Sequence, residues 1–87
     1  MANTAAAQKD IRKNARRRQR NRLVKAKTRT VTRRAVAAIE DGDANAAEQV
    51  RLAQIELDAA ASKGIIHKNA AARKKSRLVK RLRKATA

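Results

Sequence analysis

Eighty-seven residues with 24 Lys and Arg against 7 Asp and Glu carry a formal net charge of +17, a self-repulsion that calls for a polyanionic partner. A chain this short makes one small domain, residues 1–87, whose core cannot be large. Cysteine is absent, which excludes disulfides and thiolate metal sites, and no run approaches about 18 apolar residues, which excludes a membrane-spanning helix.

Proline is also absent, glycine occurs only at Gly42 and Gly64, and alanine fills 21 positions. The backbone is therefore predicted to be helical nearly throughout and to stop at the two glycines. Charge divides the chain at the same places. Residues 1–40 carry net +11, residues 41–62 net −4, and residues 63–87 net +10.

The first helix is predicted over residues 5–40. Val24, Thr28, Val31, Ala35 and Ala38/Ile39 recur at three- and four-residue spacing and make one apolar stripe. Residues 12–22 contain no Ile, Leu or Val, and like charges stack there at i,i+4: Arg12/Arg16/Arg20, Lys13/Arg17 and Arg18/Arg22. Each such pair opposes the helix by about 0.2–0.5 kcal/mol. The segment before Leu23 is therefore expected to order on a polyanion rather than alone.

Asp41-Gly42-Asp43 reads as a turn, with Gly42 free to take φ > 0 and Asp43 as the N-cap of the next helix. The second helix, over residues 44–63, places Ala46, Val50, Ala53, Leu57 and Ala60 on one coiled-coil-like seam. Gly64 fits the position just past its end, with Lys63 in the last turn where the helix dipole favours a cation. The third helix, over residues 68–84, carries a stripe of Ala71, Leu78, Leu82 and Ala85. Short links favour antiparallel neighbours, so the predicted fold class is all-α: a three-helix bundle with a long, highly basic N-terminal helix.

From residue 12 to residue 34 there is no acid at all, whereas an ordinary solvated face mixes both signs. Arg12, Lys13, Arg16, Arg17, Arg18, Arg20, Arg22, Lys25, Lys27, Arg29, Arg33 and Arg34 are accordingly candidate phosphate ligands. The C-terminal block repeats the signal with Lys63, Lys68, Arg73, Lys74, Lys75, Arg77, Lys80 and Arg81, followed by Arg83 and Lys84. Two basic helices flanking an acidic one imply a protein that bridges two stretches of nucleic acid. The acidic face of the middle helix (Glu48, Glu56, Asp58) then turns to solvent or packs against basic neighbours.

Phe, Tyr and Trp are missing, so bases have no aromatic side chain to stack on. Recognition must rest on phosphates, sugars and folded shape, with Arg and Asn as the base readers. The single histidine, His67, has no second His, no Cys and no nearby carboxylate to make a metal or acid/base site. It suits a helix entry or a phosphate contact, and Asn69 suits an N-cap or an RNA contact equally. Ser76 and the threonines have no adjacent base, so an enzyme is not expected, nor a metal, a cofactor or a small-molecule substrate. A nucleoid-type protein that condenses DNA would share this composition, but its tails usually carry Pro and low-complexity repeats. A membrane-active basic helix needs a large apolar or Trp-rich face that is not here. The first ten residues lack the apolar core of a signal peptide, which makes a cytoplasmic protein the expectation.

The stretch Lys63-Gly64-Ile65-Ile66-His67-Lys68-Asn69-Ala70-Ala71-Ala72-Arg73-Lys74-Lys75-Ser76-Arg77-Leu78 resembles the signature of the bacterial small-subunit ribosomal protein family numbered twenty. The opening Met1-Ala2-Asn3, the stretch from Arg29-Thr30 through Arg33-Arg34 to Ala37-Ala38-Ile39, and the Asp41-Gly42-Asp43 turn are similar too, so the resemblance covers essentially the whole chain. Residues 4–10 are less basic than the family's usual lysine-rich start. The resemblance implies a structural constituent of the small ribosomal subunit that binds small-subunit (16S) ribosomal RNA during assembly and joins its 5′ domain to its 3′ minor domain. Other ribosomal components would be its further partners. It also implies that the basic first helix and residues 63–78 face RNA, with Gly64, His67, Lys68, Asn69, Arg73 and Lys75 on the contact surface or supporting it.

Overall fold

Thr4 opens the first helix: its hydroxyl accepts the Ala7 amide at 3.2 Å, satisfying one of the donors that a helix start leaves unpaired. The computed structural model describes residues 4–86, and the resemblance carried by Met1-Ala2-Asn3 lies outside them. The helices are, in chain order, α1 (Ala5–Glu40), α2 (Ala46–Ser62) and α3 (Lys68–Thr86). The all-α three-helix bundle expected from the sequence is the observed fold.

Both glycines end helices as their positions suggested. Gly42 has φ 66° and Gly64 has φ 74°, values that an L side chain resists. At the end of α1 the Gly42 amide reaches the Ile39 carbonyl at 3.2 Å and the Asp43 amide the Ala38 carbonyl at 3.0 Å. At the end of α2 the Gly64 amide reaches Ala61 and the Ile65 amide reaches Ala60, both at 3.0 Å. Each pair is a Schellman motif, which satisfies last-turn carbonyls and reverses the chain. Lys63 is the cap residue after α2 rather than a member of its last turn.

Two expected caps fall elsewhere. The N-cap of α2 is Asn45, not Asp43. Asp43 instead accepts the Asn45 amide on its own carboxylate at 2.8 Å, so the turn runs two residues further before the helix begins. At α3 the capping side chain is His67, not Asn69: His67 Nδ1 accepts the Asn69 amide at 3.0 Å. His67 thus takes the helix-entry role, one of the two the sequence left open for it.

The core is small and rich in alanine. Ala35, Ala38 and Ile39 of α1 meet Ala46, Val50, Ala53 and Leu57 of α2 and Ala71 and Leu78 of α3. All five residues of the α2 seam are buried, Leu57 completely at 0% exposure. Alanine at the crossing lets α1 and α2 pack closely, and the interface of α1 with α2 is more extensive than its interface with α3. Thr28, the one buried polar side chain among the described residues, donates its hydroxyl to the Lys25 carbonyl at 2.8 Å. On α3 the expected stripe fails at its end, for Ala85 is exposed because the helix there runs past its neighbours.

The bundle takes in α1 only from about Val24 onward. From Ala5 to Arg20 only Ala7 is even partly shielded. Residues 5–20 thus project as a free-standing helix of about 24 Å at 1.5 Å per residue, and the molecule measures 66 × 21 × 13 Å. The helix is continuous there, but nothing packs against it to offset the cost of ordering. The expected outcome is that the free protein shows less helix by circular dichroism than three full helices require, and gains helicity on adding RNA. No gain would mean that the projecting segment is stable by itself.

Candidate nucleic-acid interface

The projecting part of α1 presents cations around its whole circumference. One shallow groove along it is lined by Asn14, Arg17, Arg18, Asn21, Arg22, Lys25 and Arg29, and a second by Lys9, Lys13, Arg16, Gln19, Arg20 and Leu23. Arg12 and Arg16 line a third with Ala5 and Gln8. These grooves suit a backbone of phosphates passing on more than one side. Arg33 and Arg34 are exposed farther along the same helix, where it joins the bundle.

The second basic surface is the outer side of α3. Lys68, Arg73, Lys74, Arg77, Lys80 and Arg81 are exposed there, while Ala71 and Leu78 face the core. His67 and Asn69 are exposed at the entry to this helix.

A further groove joins α1 to the turn between α2 and α3. Arg17, Arg20, Asn21, Leu23 and Val24 of α1 share a groove with Lys63, Gly64 and Ile65 of the turn between α2 and α3. Residues distant in sequence therefore form one cationic surface. Asn14, Asn21 and Leu23 were not among the sequence candidates. For the asparagines a signal existed, since Asn14 and Asn21 stand seven apart on the face that also carries Arg17 and Arg18.

Three sequence candidates have partners within the chain. Lys27 pairs with Glu56 at 3.2 Å, Lys75 with Asp58 at 2.7 Å, and Arg81 with Glu40 at 3.9 Å. Glu56 and Asp58 of the middle helix thus pack against basic neighbours while Glu48 is turned to solvent, so both placements expected for the acidic face occur. Exposed pairs of this kind contribute little and exchange readily, so Lys27 and Arg81, still mostly exposed, stay available to a phosphate. Lys75, only 33% exposed on its side chain, is more closely engaged and ties α3 to α2. On α2 itself, Arg51 donates two hydrogen bonds to Glu48, at 2.9 and 3.2 Å. Those bonds, and the opposite charges behind them, lower the Glu48 carboxyl from its ordinary value and raise the Arg51 guanidinium.

Among the described residues no group of three His, Cys, Asp or Glu side chains is placed to hold a metal ion. No helix there is long and apolar enough to cross a membrane.

A thin all-α bundle whose developed surfaces are cationic defines a small, basic, structural protein of the kind that associates with polyanions. Comparison with known proteins narrows the class. The family model described as ribosomal protein S20 matches residues 2–83. The small ribosomal subunit protein bS20 of Roseiflexus sp. (strain RS-1) is 55% identical over 87 residues, 100% of this chain and 96% of that protein. The proteins of that name from Nitrosomonas europaea and Chelativorans sp. (strain BNC1) are 52% and 48% identical over 79 and 84 residues. They cover 90% and 95% of this chain, and 91% and 96% of their own lengths. The chain belongs to the ribosomal protein S20 family, and that family is one of ribosomal structural proteins, not of enzymes.

Proposed function

We propose that this chain is a structural constituent of the small ribosomal subunit, acting in the cytoplasm as a single domain over residues 1–87. It binds small-subunit ribosomal RNA directly, through phosphate and shape contacts, and holds two stretches of that RNA together. One observation carries this most of all. Residues 5–20 of α1 are exposed on nearly every side, and no acid occurs from residue 12 to residue 34. A helix so charged is best stabilised when phosphates surround it. The second basic surface, on α3, gives the molecule its other hold. The name shared by the relatives, small ribosomal subunit protein, supports the assignment of the RNA. Other ribosomal components complete its surroundings.

The chain's cations alone would also attract DNA, so the test is a competition. Purified protein is mixed with small-subunit ribosomal RNA and an equal mass of linear duplex DNA, and the mixture is sedimented at rising salt. The protein should remain with the RNA after the DNA has released it, because only a shape-matched site retains contacts that do not depend on counterion release. Equal partition at every salt concentration would make it a non-specific polyanion binder.

A further inference from the structure

The groove where α1 meets the α2–α3 turn differs in chemistry from a plain phosphate cradle. Its lining combines the cations Arg17, Arg20 and Lys63 with the apolar side chains Leu23, Val24 and Ile65. Leu23 is 63% exposed. It lies one residue off the stripe that faces the bundle, so packing in this chain does not explain a leucine there. Uncovered apolar surface of this size is unfavourable in water and gains on meeting another apolar face. Phosphates do not provide such a face. Nucleobases do, but in a continuous duplex their faces are stacked on one another and out of reach.

We infer that this groove receives a single unpaired nucleotide of the bound RNA, with its base lying on Leu23, Val24 and Ile65 and its phosphates meeting Arg17, Arg20 and Lys63. The site rests on the RNA-binding function proposed above and adds a local specificity to it. Gly64 fits this use of the groove. Apart from its chain neighbours, no heavy atom lies within 4 Å of where its Cβ would stand, so the backbone there is open to close approach by a ribose or phosphate. Asn21, half-buried in the same groove, supplies an amide within the site that can read the base edge. Without aromatic residues, aliphatic side chains are what this chain has to cover a base, and here Leu23 stands exposed beside the half-buried Val24 and Ile65, among cations.

The test separates the base from the backbone. Small-subunit ribosomal RNA is bound to the full chain and probed in parallel by hydroxyl radicals, which report ribose protection. Base-specific reagents (dimethyl sulfate and a carbodiimide) report exposed base edges. Three proteins are compared: wild type, Leu23→Gln, and Ile11→Gln, whose isoleucine is as exposed at 68% but lies about three turns away on the projecting helix. Glutamine is a good helix former, so neither change should disturb α1. With wild type, at least one unpaired base should become about threefold or more less reactive, as burial of one aliphatic side chain implies. That base should regain its reactivity with Leu23→Gln while the ribose protections stay, and Ile11→Gln should behave as wild type. If ribose protections appear but no base distinguishes wild type from Leu23→Gln, the nucleotide site is refuted and a protein neighbour becomes the groove's occupant. If Ile11→Gln restores the same base, the effect is not local and the inference fails. If no ribose is protected by any of the three, RNA binding itself is what has failed.

Discussion

Replacing Arg16, Arg17 and Arg18 together by Ala should weaken binding to small-subunit ribosomal RNA by about two orders of magnitude at about 0.1 M salt. The three residues are consecutive, exposed and at different angles around the projecting helix, so they reach different phosphates. Removing one arginine–phosphate pair takes about 0.7–0.9 off the slope of log affinity against log salt, or about two to three in all if every arginine makes one. Alanine keeps the helix, so the loss is electrostatic and not structural. The weakening should be similar for ribosomal RNA and for a random duplex of equal length, since phosphates carry no sequence information, apart from the one contact that Arg17 makes to the unpaired nucleotide. Asn69→Ala should behave in the opposite way, leaving the slope unchanged and lowering the preference for ribosomal RNA. His67→Ala is a poorer probe, because its imidazole caps α3 through the Asn69 amide and its loss also frays the helix. Filter binding at several salt concentrations with both RNAs distinguishes these cases. A triple variant that loses preference but keeps its slope would reverse the roles of the two surfaces.

The second large effect is on the fold. Leu57 is completely buried on the seam of α2, in the core shared with α1 and α3. Leu57→Ala should cost about 2–4 kcal/mol from reduced transfer energy and the cavity left behind. For a domain of this size that lowers the melting temperature by roughly 10–25 °C. Leu78→Ala, also buried, should have an effect of the same order. With so few large apolar residues, either variant comes close to losing the bundle altogether. Thermal melts followed at the helical band give the answer. Unchanged melting in both would mean that the bundle is held by something other than this core.

The parts of this fold that were legible in the sequence are those set by periodicity and by glycine. The α2 seam was readable because Ala46, Val50, Ala53, Leu57 and Ala60 keep an alternating four- and three-residue spacing, which only a helix buried along one face requires. The two Schellman motifs were readable because no other residue type takes φ near +70° at so little cost. The caps were less legible. Asp43 is a favourable N-cap residue, but its carboxylate is taken up by the Asn45 amide. His67 is not a residue that propensity selects as a cap. The basic surfaces followed from charge alone, whereas the groove under Arg17, Arg20 and Lys63 did not. It needs Leu23, which falls off the apolar stripe of α1, and Ile65, which belongs to a turn 42 positions away. Local pattern does not reveal what tertiary packing brings together.

The most direct test of the central claim, that one chain holds two separate stretches of RNA, uses the absence of cysteine. A single Gln19→Cys places a unique thiol on the projecting part of α1, and a single Ser76→Cys places one on α3, both at exposed positions. An iron chelate attached at each thiol cleaves nearby ribose when the protein is bound to small-subunit ribosomal RNA. The two positions should cut two stretches of RNA that are distant in sequence and not paired to one another, each at its own set of nucleotides. Cleavage from both positions confined to one continuous helix of RNA, or none from Ser76→Cys, would contradict it.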